Sequence, residues 1–172
     1  MNITFLHQSA QYTLLSLTCK DSFQVTLNSI GASIRSIGYT DSAEKFKNIA
    51  LSFASDSDYT GNTLYAGATL GPCAGRISNG WLSLPAKKYH LTRNEKNRHC
   101  LHSGIHSVSF INWTLVSVRE EDTCAEALFQ CTLPDLSLIH IYLLSMTKSE
   151  RSRSVLYSEP ALLSFLFCLS SK

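Results

Sequence analysis

The run Ser22-Phe23-Gln24-Val25-Thr26-Leu27 alternates without a break, Phe23, Val25 and Leu27 to one side and Ser22, Gln24 and Thr26 to the other. Successive side chains leave an extended chain on opposite faces, so a period of two is the pattern of a half-buried strand. A chain carrying such a run must find a sheet, and other short segments make the same demand. Residues 12–18 read as a preceding strand, with Lys20-Asp21 as the hairpin turn, and Ile30 lies just beyond the alternating run. Gly31 allows a bend before a strand around residues 34–37, and residues 41–47 are polar and solvated. Residues 49–53 are apolar and predict a buried strand, whereas residues 55–61 are loop material with one helical turn. Downstream, residues 81–84 and 89–92 flank a Pro85-Ala86-Lys87-Lys88 turn, and residues 93–98 form a charged loop. Residues 113–118 are the clearest strand, joined through the acidic turn Glu120-Glu121-Asp122 to a partner at 127–132. Short strands at this spacing, with little helical periodicity and no internal repeat, predict an all-β sandwich.

Composition narrows the partners. The length of 172 residues suffices for one domain with a core. A net charge of +2 with 16% charged residues leaves no electrostatic footprint for nucleic acid. Low charge with abundant Ser and Thr suits a β-rich domain or a neutral, polyol-like ligand. Met1-Asn2-Ile3-Thr4-Phe5 has neither a basic n-region nor a long apolar h-region, so no secretory signal is expected. Residues 161–169 are apolar but fall far short of the ~20 a membrane helix needs, so no membrane partner is expected. The cysteines Cys19, Cys73, Cys100, Cys124, Cys131 and Cys168 form no compact framework and no C-x-x-C. A cytoplasmic protein with reduced thiols is the expectation.

Two runs between residues 65 and 113 are built for a polar pocket: Gly71-Pro72-Cys73-Ala74-Gly75-Arg76-Ile77, and later Leu101-His102-Ser103-Gly104. Glycine lets a backbone turn sharply and approach a ligand closely. Arg76 supplies a rigid fork of donors, and His102 can exchange a proton near neutral pH. A rival grouping is His99, Cys100, His102 and His106 with Cys73, all of which could bind Zn²⁺. Its histidines would share a helix face at steps of three and four. Ser103, Gly104 and Ile105 disfavour that helix and no second ligand pair has normal spacing, so metal binding is the lesser reading. Tyr65, Trp81 and Trp113 read as core residues rather than stacking platforms.

In this order and spacing the two runs resemble the aldose 1-epimerase (galactose mutarotase) family, whose members carry a Gly-Arg-x-Ala-Asn-Arg-Ile turn and later a Leu-His-Gly-Gly motif. Tyr65, Gly67 and Ala68 before the turn agree, as do Tyr89-His90-Leu91 and Asn94 between the motifs and Trp113 after them. Gly31-Ala32-Ser33-Ile34, Asn48-Ile49-Ala50-Leu51-Ser52-Phe53 and Tyr59 look like the family's early strands. The resemblance covers roughly residues 22–115. It implies a β-sandwich of the galactose mutarotase (supersandwich) type that interconverts the α and β anomers of a hexose, galactose or glucose. A small-molecule sugar is the implied partner, with no metal and no organic cofactor.

By the same resemblance, Arg76 matches the second Arg of the turn, which hydrogen-bonds substrate hydroxyls or the ring-oxygen region. His102 matches the motif His, which binds the sugar near the ring oxygen and supports its protonation. The turn departs from the family where Pro72 replaces the first Arg and Gly75 replaces the Asn beside Arg76, removing one amide contact. Ser103 replaces a Gly, expected to be a minor change. The family's base (a Glu near the end of the domain), its second His and its sugar-contacting Asp have no matched residue here. His140, Glu150 and Glu159 lie outside the resemblance and are not assigned these roles. The chain is therefore expected to carry the N-terminal part of the domain in residues 1–135 and to be an inactive fragment. Residues 136–172 do not continue the family pattern. Leu136-Ser137-Leu138-Ile139-His140-Ile141 is also what a transposon end used in sequencing libraries would encode in one frame, so this tail is either an artefact or a divergent C-terminus. A sugar-binding sandwich without catalysis is the alternative function.

Overall fold

A computed structural model describes residues 1–19, 23–41, 43–83 and 88–132, together with the backbone of a strand at 162–170. Strands β1 (Asn2–Gln8), β2 (Thr13–Cys19), β3 (Phe23–Asn28), β4 (Ser33–Thr40) and β5 (Phe46–Asn48) form an antiparallel sheet in that order. Short pairs follow: β6 (Arg76–Ile77) with β9 (Cys100–Leu101), and β7 (Trp81–Ser83) with β8 (Lys88–His90). A second sheet holds β10 (Thr114–Glu120), β11 (Cys124–Thr132) and β12 (Leu162–Ser170) in that order. The expected strands at 12–18 and 22–27 are β2 and β3, each displaced by one residue. Their turn at Lys20-Asp21, like Leu84-Pro85-Ala86-Lys87 and the residues 133–161 that contain His140, Glu150 and Glu159, lies outside the described residues.

Register explains the core. Leu15 stands opposite Leu27, and Leu17 opposite Val25, so the apolar side of the alternating run meets apolar partners. From the other sheet Ala125, Ala127, Phe129 and Cys131 leave one face of β11 at every second position and join Trp113 and Val108 against them. The polar side of β2 and β3 is buried as well, with Ser16 and Thr26 almost inaccessible, so alternation here does not separate core from solvent.

The sheets are stitched where three segments meet at Gly31. Its N–H donates to the Ile111 carbonyl at 2.8 Å, and its carbonyl accepts from the Thr69 N–H at 2.9 Å. Its φ of +65° and the Ser109 carbonyl where a Cβ would sit require glycine. Trp113 donates its indole N–H to the Val108 carbonyl at 3.0 Å and lies in the core, as expected. At the far end the amino terminus donates to the Glu121 carbonyl at 3.2 Å, tying β1 to the β10–β11 turn.

Two expectations are corrected. Residues 49–53 form no strand, and Ile49 and Leu51 are 67% and 75% exposed. The Asn48 side-chain carbonyl accepts from the N–H groups of Ile37 and Ala50, ending the β4–β5 pairing at this point. Residues 43–47 are exposed, as expected for this polar segment, and it ends in β5 because Asp41 accepts from the N–H groups of Ala43 and Lys45 and folds it back onto β4. Trp81 is exposed rather than core, since it belongs to the isolated β7–β8 pair and meets only the His90 ring edge-on at 4.8 Å among the described aromatic contacts. Residues 55–61 do contain a helical turn, Asp56–Gly61, capped by the Ser55 hydroxyl. No helix among the described residues is long and apolar enough to cross a membrane.

Candidate functional site

The site grows from the β6–β9 pair, where Arg76 stands opposite Leu101 and Ile77 opposite Cys100. Pairing continues one step beyond the strands: the His102 N–H donates to the Gly75 carbonyl at 2.9 Å, and the Gly75 N–H donates to Nδ1 of His102 at 3.0 Å. The chain then turns hard, with His102 and Ser103 both left-handed at φ +49° and +69°. Such backbone is costly for residues with a Cβ and persists only where its surroundings enforce it. Ser103 supplies part of that enforcement. Its hydroxyl accepts from the Cys73 N–H at 2.7 Å and donates to the Cys73 carbonyl at 3.1 Å, so the replacement of Gly by Ser is a structural tie, not a minor change.

An N–H can only donate, so the Gly75 bond requires an unprotonated Nδ1, and neutral His102 carries its proton on Nε2. Burial, then the nearby Arg76 guanidinium, pull the His102 pKa below its ordinary value, with Glu95 opposing. The Tyr65 ring packs against the imidazole at 4.7 Å, nearly edge-on. Tyr65 is half-buried and also meets Phe110, so it belongs to the wall of this site rather than to the central core expected for it.

Arg76 is largely exposed and does not reach into solvent alone. Its Nε lies 2.9 and 2.7 Å from Oε1 and Oε2 of Glu95, and its Nη2 donates to Oε1 at 2.6 Å. Those hydrogen bonds hold the Glu95 carboxyl below the usual carboxylate range. Glu95 is held in place by its loop. Its N–H and carbonyl bond to His99 across a turn in which Lys96 and Asn97 are left-handed. Asn94 latches the loop base: Oδ1 accepts from the Leu101 N–H at 2.8 Å, and Nδ2 donates to the Leu101 carbonyl at 3.0 Å and the Tyr65 hydroxyl at 3.2 Å.

Arg76 thus lies in β6 and His102 one residue past the end of β9, while Glu95, which no motif marks, is the bonded partner of the arginine. A single acidic residue in a basic loop carries no motif; the only available signal was Asn94 immediately before it. The metal grouping is not assembled. His99 accepts from the Asn79 N–H, Cys100 is buried, His102 faces Gly75 and His106 is exposed. No group of three or more metal-ligating side chains occurs among the described residues.

The two antiparallel sheets packed about one core form a β-sandwich of the galactose mutarotase class. A GalM/aldose epimerase homologue from C. elegans superposes with a TM-score of 0.60 at 23% identity, over 70% of this chain and 36% of that one. Galactose 1-epimerase from Lactobacillus acidophilus gives 0.65 at 20% identity, over 82% and 41%. The aldose 1-epimerase family model matches residues 13–145, and the chain belongs to that family. In sequence it is similar to the bifunctional protein GAL10 of Kluyveromyces lactis, 32% identical over 55% of this chain and 13% of that protein. It is also similar to an aldose 1-epimerase of Streptococcus thermophilus, 27% identical over 66% of this chain and 32% of that enzyme. The chain therefore spans less than half the length of each of these relatives.

Proposed function

We propose that the chain is the N-terminal part of a cytoplasmic aldose 1-epimerase acting on galactose or glucose, and that Arg76 and His102 are its sugar contacts. Anomer interconversion removes a proton from the C1 hydroxyl and delivers one to the ring oxygen. The ring opens, C1 turns about its bond to C2, and the ring recloses on the other face. Neutral His102, with its proton on Nε2, is suited to donate toward the ring oxygen, and the open edge of Arg76 to donate to hydroxyls. These steps are proton transfers, so the reading needs neither metal nor organic cofactor. A base for the C1 hydroxyl has no matched residue in the sequence, and on this reading the chain binds sugar without accelerating its anomerisation. The boundary near Asp135 is part of the same reading, and a genomic read across that codon tests it.

The observation that supports the reading is the reciprocal bonding of Gly75 and His102 next to Arg76 in the chain. The test is a galactose titration of the full chain followed by amide NMR, with polarimetry on freshly dissolved α-galactose. Saturable shifts at Gly75, Arg76 and His102, lost in Arg76→Gln and His102→Asn, are expected, with mutarotation at the water rate. Shifts confined to other residues would overturn the site, and a catalysed rate would overturn the fragment's inactivity.

A further inference from the structure

We propose that Glu95 is a specificity-determining residue of this site, neutralising Arg76 so that it accepts uncharged hexoses and rejects sugars bearing a carboxylate. The inference rests on the sugar-binding reading above. A free, exposed guanidinium is a strong and indiscriminate carboxylate receptor, because its fork matches both oxygens at once. Here the Nε–Nη2 edge is already filled by Glu95 through contacts of 2.6 to 2.9 Å. The Nη1 edge has no partner among the described residues and can give single bonds to hydroxyl oxygens. A hexuronate reaching the same guanidinium would set its carboxylate against that of Glu95, with neutral His102 as the other neighbour. Like charges so placed are strongly unfavourable, whereas a hydroxyl meets no such penalty.

Glu95 is also too well fixed to yield the arginine easily. Its side chain is 18% exposed while that of Arg76 is 63% exposed, so the carboxylate is the inner, anchored member of the pair. Its main chain is pinned to His99 on both sides, and Asn94 clamps the loop to Leu101. The hydrogen bonds from Arg76 keep the carboxylate charged, with smaller electrostatic help from His99 and Lys96. The guanidinium is thereby oriented before any ligand arrives.

The test compares galactose and galacturonate on the full chain by ligand-observed NMR competition, for wild type, Glu95→Gln and Glu95→Asp. Wild type should bind galactose at least about tenfold more tightly than galacturonate. Glu95→Gln frees the fork and should raise the galacturonate-to-galactose affinity ratio by about tenfold or more. Glu95→Asp keeps the charge and should keep the wild-type ratio, which a purely structural role would not require. Galactose binding with a ratio unmoved by Glu95→Gln would overturn the role of Glu95 and leave the sugar site standing. A wild-type chain that binds neither sugar would overturn both.

Discussion

The bond from the Gly75 N–H to Nδ1 of His102 makes the imidazole's protonation state a structural property. Protonating Nδ1 would set donor against donor, and burial already disfavours the cation. The native pKa is therefore lower than in the unfolded chain, where 6.5 is the ordinary value. Between the native pKa and that value the unfolded state binds more protons, so stability rises with pH across that window. Melting followed from acid to neutral pH should show it, and His102→Gln should flatten this part of the profile. An unchanged slope in the variant would contradict the assignment. Glu95 runs in the same direction: its depressed pKa gives stability that is present above the unfolded value and lost as pH falls through the native one. Gly31 makes a second demand at this scale. Gly31→Ala places a Cβ at φ +65° against the Ser109 carbonyl, and should cost about 2 kcal/mol or more in denaturant unfolding. A loss below about 0.5 kcal/mol, the ordinary range for a surface change, would show that the junction relaxes. His102 and Arg76 were legible only because two motifs occur together. Glu95 was not, since its partner lies 19 residues away and only the folded loop brings them together.

Among the elements, the loop between β8 and β9 is the one whose loss would dismantle the site without touching the core. Asn94 imitates a strand neighbour, giving and taking a bond with the Leu101 main chain as a paired residue would. Asn94→Ala removes these and the bond to Tyr65, for an expected loss of about 1–2 kcal/mol given their exposure. Its sharper consequence is that Glu95 is released from Arg76, so galacturonate should gain on galactose as in Glu95→Gln. A stability loss with no change in that preference would separate the latch from the specificity. The strands at this scale were readable wherever a run had neighbours on both sides. Residues 12–18 and 22–27 became β2 and β3 because each finds two partners in the sheet. Residues 49–53 failed for the opposite reason. An apolar run of that length satisfies a strand pattern, but after the Ile49 N–H bonds the Ile37 carbonyl the Asn48 side chain takes the Ile37 and Ala50 N–H groups, and strand pairing goes no further among the described residues. Trp81 failed similarly: hydrophobicity predicted burial, and the two-stranded β7–β8 pair gives it no covering layer among the described residues.

At the scale of the molecule, the consequence is exposed apolar surface among the described residues. Ile49, Leu51 and Leu64 are 67, 75 and 71% exposed, and β1 and β5 are the outer strands of the first sheet. Large exposed apolar groups beside sheet edges favour association through both hydrophobic contact and strand addition. The chain should therefore self-associate as its concentration rises, visible as a growing mass in light scattering and as binding of an apolar dye. The two contributions separate by substitution. Replacing both Ile49 and Leu51 by Lys adds charge next to β5 while breaking no buried contact, since both side chains already face solvent. Surface changes of this kind usually shift stability by less than about 0.5 kcal/mol, so the melting temperature should stay near that of wild type. Association should fall sharply in this variant if residues 49–53 are the adhesive surface. If it persists unchanged with the melting temperature intact, the adhesive element lies elsewhere and β1, at the other edge of the sheet, becomes the place to look. A wild-type chain that stays monomeric at high concentration and melts cooperatively would show that the exposed residues do not drive assembly at all.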